Sequence, residues 1–167
     1  GARNTKPATG ILGTLEIAPE SPNVFLGTSC FLDLKAFDTS YRPMNVPEDI
    51  TWKVIEGEGR FENNRFYPGA AGKAVVSATC GDVTGTYELN VLSELAYLEI
   101  SPKYLEITSE SGGWVKLTGK DPSGLSAPVI LTDTDFSFSN DIASAGSFDI
   151  APHASGTTVL SATFNGK

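Results

Sequence analysis

Apolar and polar residues alternate with a period of two along several short stretches of the chain. In Cys30-Phe31-Leu32-Asp33-Leu34-Lys35-Ala36 one parity is apolar, while the other includes Asp33 and Lys35. Ile50-Thr51-Trp52-Lys53-Val54 and Tyr87-Glu88-Leu89-Asn90-Val91 alternate in the same way. Such alternation turns one face of a strand to a core and the other to water. Turn residues punctuate these runs at Pro19 to Pro22, Asp38 to Pro43, Gly57 to Gly59, Pro68 to Gly72 and Gly81 to Gly85. Short strands separated by regular turns predict a sandwich or barrel. No stretch of ten or more residues carries helical periodicity.

The pattern repeats. Leu15-Glu16-Ile17-Ala18-Pro19 returns 83 residues later as Leu98-Glu99-Ile100-Ser101-Pro102. At that offset Leu32-Asp33-Leu34 matches Val115-Lys116-Leu117, and Asp38 matches Asp121. Ile50-Thr51-Trp52 then aligns with Phe136-Ser137-Phe138, and Val76-Ser77-Ala78-Thr79 with Leu160-Ser161-Ala162-Thr163. Offsets that drift by a few residues are what loop insertions produce, so two copies of one fold are expected. The predicted organisation is a tail over residues 1–11, a first β-sandwich over 12–93 and a second over 94–167.

The order Leu-x-Ile-x-Pro, an alternating strand ending in Asp, Ile-Thr-Trp, Phe-x-Pro-Gly-x-x-Gly and Val-x-Ala-Thr resembles bacterial Ig-like domains of the group 2 type. The resemblance weakens in copy two, where Phe138 replaces the tryptophan and Pro152-His153 replaces Pro-Gly. It implies an all-β chain of two tandem immunoglobulin-like sandwiches. It also implies a spacer or binding module of an extracellular or cell-surface protein, as in adhesins of the invasin and intimin kind. The stretch Asn4-Thr5-Lys6-Pro7 to Gly13-Thr14-Leu15 is similar to the segment after the catalytic domain in some bacterial phosphodiester glycosidases. That likeness would make the chain an appendage of an enzyme and not the enzyme.

Charge narrows the partners. The net charge is −8, with 20 Asp and Glu spread over both copies. Phosphate backbones and anionic headgroups are held by clustered Lys and Arg, and no such cluster occurs. Nucleic acid is therefore excluded as a partner. No run approaches the roughly 18 apolar residues of a membrane span, and no signal-type segment opens the chain. Membrane insertion is not expected, and an extracellular protein of this kind would be a fragment or mature product.

Few residues point to chemistry. His153 is the only histidine and falls in a predicted turn, so neither a zinc site nor a Ser-His-Asp triad is expected. Glu56-Gly57-Glu58-Gly59 lacks the third glycine and following helix of a dinucleotide loop. Asp133-Thr134-Asp135 is too short for a calcium loop. Domains of about 80 residues devote their interior to one core and leave little room for a catalytic cleft. No catalytic residue, metal or cofactor is therefore expected. Cys30 and Cys80 sit at opposite ends of their strands and are expected as free, buried thiols, since a bridge needs Cα atoms within about 7 Å.

The aromatic residues are more informative. Trp52 shares the inward parity of Ile50 and Val54 and is expected in the core. Trp114 falls outward of Val115 and Leu117 and aligns with Phe31. Phe31, Tyr41 and Trp114 are thus the candidate ligand or domain-contact residues. An outward Trp stacks on a sugar ring or a partner protein, or it packs against a neighbouring domain; both readings stand at this point. The expected partners are neighbouring domains of a longer polypeptide, with a cell-wall glycan or host protein as the alternative. The link Val91 to Leu98 has no glycine or proline, so it is not a flexible tether, and a stiff spacer is expected. After Phe164 only Asn165-Gly166-Lys167 remain, so copy two is expected to lack its last strand, leaving an open edge.

Overall fold

The computed structural model describes residues 7–108, 113–129, 136–139, 143–145, 150–152 and 155–163. The chain divides into two compact units, Gly1–Ser93 and Glu94–Lys167. Among the described residues every regular element is a β-strand, so the fold class is the all-β sandwich that the alternation predicts.

Among its described residues unit 1 holds ten strands: β1 (Leu12–Ile17), β2 (Asn23–Phe25), β3 (Cys30–Phe31), β4 (Leu34–Asp38), β5 (Pro43–Met44), β6 (Thr51–Glu56), β7 (Gly59–Glu62), β8 (Arg65–Pro68), β9 (Gly72–Cys80) and β10 (Val83–Leu92). They form a four-stranded sheet β2-β10-β9-β6 and two three-stranded sheets, β1-β4-β5 and β3-β8-β7. Only β2 runs parallel to its neighbour β10. The inward parity of β9 and β10 supplies Ala74, Val76, Ala78, Leu89 and Val91 to the core. Ile17, Leu32 and Phe66, from the other two sheets and the segment between them, join the same cluster. Fully burying a side chain of the Leu32 or Phe66 kind contributes about 1.5–3 kcal/mol. Trp52 has the expected inward parity but reaches only the margin of this core, where it stacks on Phe61 with ring centroids 5.5 Å apart.

Three features depart from the pattern-based expectation. The run Cys30 to Ala36 is two strands, because the chain changes sheets at Leu32-Asp33. The Leu32 amide donates to Asn64 O in one direction, and Asp33 O accepts from the Ala18 amide in the other, each at 2.8 Å. The switch plants Leu32 in the core without interrupting the alternation. Secondly, Gly85 belongs to a strand and not to a turn: β9 and β10 are joined by Gly81-Asp82 alone, with Gly81 at φ 60 and a glycine first, as a two-residue hairpin favours. Thirdly, Cys30 and Cys80 are free thiols, as expected, but half-buried. Cys30 begins an edge strand, and the Cys80 thiol lies 3.5 Å from Asp49 Oδ1.

Unit 2 holds β11 (Tyr97–Ser101), β12 (Lys116–Lys120), β13 (Ser126–Pro128), β14 (Phe136–Phe138), β15 (Ala143–Ala145), β16 (Ile150–Pro152) and β17 (Leu160–Ala162). The ladder β11-β12-β13 keeps the register of β1-β4-β5. Leu15 pairs with Ala36 and Ala36 with Met44; Leu98 pairs with Gly119 and Gly119 with Ala127, each residue 83 positions on. The pairing of β14 with β17 is less faithful. Trp52 opposes Ala78, whereas Phe138 opposes Leu160, two residues short of the aligned Ala162. A slip of two preserves which face each side chain takes. Residues 164–167, and with them the question of a further strand in copy two, lie outside the described residues.

Candidate functional site

The three candidate aromatics are all exposed, Phe31 and Tyr41 in unit 1 and Trp114 in unit 2. Phe31 is 51% exposed on β3, whose partner β8 sets it opposite Arg65. Tyr41 is 65% exposed in the turn from β4 to β5, at φ 61, a left-handed conformation that costs a side-chain-bearing residue. Its ring lies on Phe37, centroids 4.7 Å apart and planes within 6°, so half of its π surface is already used. Phe31 stands on the β3-β8-β7 sheet and Tyr41 on the turn of the β1-β4-β5 sheet. Trp114, 67% exposed, precedes β12 in unit 2 with Val115 and Leu117 half-buried, confirming its outward parity.

Unit 2 adds a residue that alternation does not identify. Tyr104, 93% exposed, lies in the irregular segment after β11. That segment returns against the residue before Trp114: a Cβ added at Gly113 would collide with the side chains of Leu105 and Ile107. Tyr104 and Trp114 are therefore chain neighbours of two residues in close contact. The available sequence signal was the Gly112-Gly113 pair, which permits close backbone approach.

Unit 1 has an open depression of about 510 Å³ between Gly27, Glu58, Gly59, Arg60, Tyr67 and Gly69. Two of its lining residues, Arg60 and Tyr67, are engaged with the neighbouring Glu62. The Arg60 guanidinium sits 4.1 Å above the Tyr67 ring and donates to Glu62 Oε1 at 2.7 Å. The Tyr67 hydroxyl donates to Glu62 Oε2 at 3.1 Å. Those two donors, Arg60 first and then Tyr67, hold the Glu62 carboxyl below its ordinary range. The Tyr67 face is occupied by a cation, and Glu62 is kept ionised, which suits neither sugar stacking nor general-acid chemistry.

The remaining reactive groups are similarly committed. Burial pushes the Cys30 thiol up to about 11, against a smaller opposing effect of Arg65. Burial, together with the hydrogen bond and charge of Asp49, raises the Cys80 pKa. Both sulfurs are thiols at neutral pH and weak nucleophiles. Asp38 and Asp121 each serve as acceptor for a turn: Ser40 and Arg42 amides donate to one, Ser123 and Leu125 amides to the other. Glu56 of the glycine-rich loop ends β6 and lies 3.6 Å from Lys73. Among the described residues no group of three His, Cys, Asp or Glu converges as a metal site requires, and no helix is long and apolar enough to cross a membrane. His153, Asp133 and Asp135 lie outside the described residues.

No family model matches the chain, and no curated protein does. Among solved structures it is similar to the surface layer protein SbsC, domains 1-6, at a TM-score of 0.36 and 15% identity. It is similar to the S-layer protein rSbsC(31-844) at 0.35 and 15%. Each match covers 90% of this chain and 25% of the other, so the chain spans about a quarter of the length of these structures.

Proposed function

We propose that this chain is a non-catalytic structural segment of a bacterial extracellular or cell-surface protein, two Ig-like domains in tandem that present a neighbouring module. The observation that carries the reading is the ladder shared at a constant offset of 83 residues, Leu15-Ala36-Met44 in unit 1 and Leu98-Gly119-Ala127 in unit 2. Duplicating a β-sandwich lengthens a protein without creating a site. The polar clusters fit that role, since Glu62 and Asp38 spend both carboxylate oxygens on turns and neighbouring side chains. The link of four residues between β10 and β11, Ser93 to Ala96, contains no glycine or proline, which suits a spacer better than a tether. The test is exchange within a longer parent protein. Replacing residues 12–167 by an unrelated pair of β-sandwiches of equal length should preserve the parent's surface activity. Loss of activity in that chimera, with the replacement folded, would overturn the reading.

A second reading is favoured by the placement of Tyr104 beside the Trp114 segment. Sugar rings stack on exposed aromatic faces, and these two aromatics lie on touching stretches of chain. In that case the segment is an adhesion or carbohydrate-binding module. Binding of a cell-wall polysaccharide that fails in both Tyr104→Ala and Trp114→Ala would establish it.

A further inference from the structure

Asp38 and its counterpart Asp121 organise the same turn, but they do not use their oxygens alike. In both, Oδ1 accepts from the amides two and four residues on: Ser40 at 2.8 Å and Arg42 at 2.9 Å in unit 1, Ser123 at 3.0 Å and Leu125 at 2.8 Å in unit 2. In both, the residue three positions on has positive φ, Tyr41 at 61 and Gly124 at 93. The turn itself therefore needs one carboxylate oxygen. In unit 1 the second oxygen is also engaged. Oδ2 accepts from the Thr9 amide at 2.7 Å and faces the Gly10 amide at 3.4 Å, and the whole residue is only 2% exposed.

We infer that Asp38 is a two-oxygen latch, one oxygen building the β4–β5 turn and the other strapping the segment before β1 across it. Three further ties lie along the same strap. Thr9 Oγ1 and Thr39 Oγ1 are 2.6 Å apart, the Thr39 amide donates to Ile11 O at 2.8 Å, and Gly13 has no room for a Cβ against the backbone of Asp38 and Thr39. The segment Thr9 to Ile11 is thus fixed to the turn and not only to its own strand. A carboxylate is the fitting side chain, because it alone offers two acceptor oxygens at this length. An amide would place an NH₂ donor opposite the Thr9 donor. The inference stands on this geometry and is independent of the structural-segment reading.

Amide hydrogen exchange on the full chain tests it, comparing wild type, Asp38→Asn and Asp121→Asn. The latch predicts that Asp38→Asn accelerates exchange at Thr9 by roughly tenfold or more, as loss of a hydrogen bond to a charged group does, while Ser40 and Arg42 stay protected. Asp121→Asn should leave Thr9 untouched and keep Ser123 and Leu125 protected. Unchanged Thr9 exchange in Asp38→Asn overturns the inference. Should Asp38→Asn unfold unit 1, Thr9→Pro decides, since it removes the donor and keeps the carboxylate. A folded unit 1 with a rapidly exchanging Gly10 supports the latch, and an unfolded one overturns it.

Discussion

Thr9 and Asp38 are 29 residues apart in sequence, and the amide of the first donates to the carboxylate of the second at 2.7 Å. Burial acts to raise the Asp38 pKa, but the amides of Arg42, Thr9, Ser40 and Gly10 outweigh it and hold the group below its ordinary 3.8. A depressed folded pKa means that the ionised form stabilises unit 1 at pH values above the unfolded pKa. That contribution disappears as pH falls through the folded value. The Thr9 amide shift followed by NMR should therefore titrate with a midpoint below 3.8. A midpoint at or above 3.8 would show that the amides do not hold the charge.

Sheet contact in unit 1 passes through a glycine. A Cβ at Gly85 on β10 would strike the carbonyl oxygen of Leu15 on β1. Gly85→Ala should destabilise unit 1 by about 1–3 kcal/mol, the usual cost of overpacking. Urea unfolding followed on unit 1 amides checks this. A change under about 0.5 kcal/mol would mean that the two strands have room to separate.

Tyr41 carries a conformation that suits glycine. Comparing Tyr41→Ala with Tyr41→Gly removes the Phe37 stack from both variants and leaves only the backbone term. The glycine variant should be the more stable by about 1 kcal/mol. Equal stability in thermal unfolding would show that the turn relaxes out of the left-handed region.

The thiols should be slow to react. With Cys30 pushed up to about 11, its thiolate fraction at pH 8 is about one in a thousand. Alkylation by iodoacetamide, followed by mass spectrometry of the native chain, should be at least about tenfold slower at Cys30 than at an unhindered thiol. Rapid labelling of Cys30 would contradict the burial assigned to it.

Much of this architecture is legible in the sequence because it rests on local periodicity. Alternation places Val76, Ala78, Leu89 and Val91 inward and Trp114 outward, and the recurrence of Leu15-Glu16-Ile17 as Leu98-Glu99-Ile100 marks the two matching ladders. What escapes the pattern depends on contacts distant in sequence. Alternation runs unbroken through Leu32-Asp33 although the hydrogen-bonding partners change there. The hairpin of β7 and β8 turns on Asn63-Asn64, with Asn63 at φ 56, a signal that polar loop composition conceals. Asp38 reads as a polar strand end, because nothing in its neighbourhood announces donors arriving from Thr9 and Gly10. Tyr104 escapes because its segment has no period at all.

Tryptophan fluorescence of the chain titrated with purified peptidoglycan and cell-wall polysaccharides, with Trp114→Ala alongside, tests the central claim most directly. A structural segment should give no saturable change up to about 1 mM ligand, which is weaker than about −4 kcal/mol of binding. A saturable change that vanishes in Trp114→Ala would contradict it and place a glycan-binding site at Trp114.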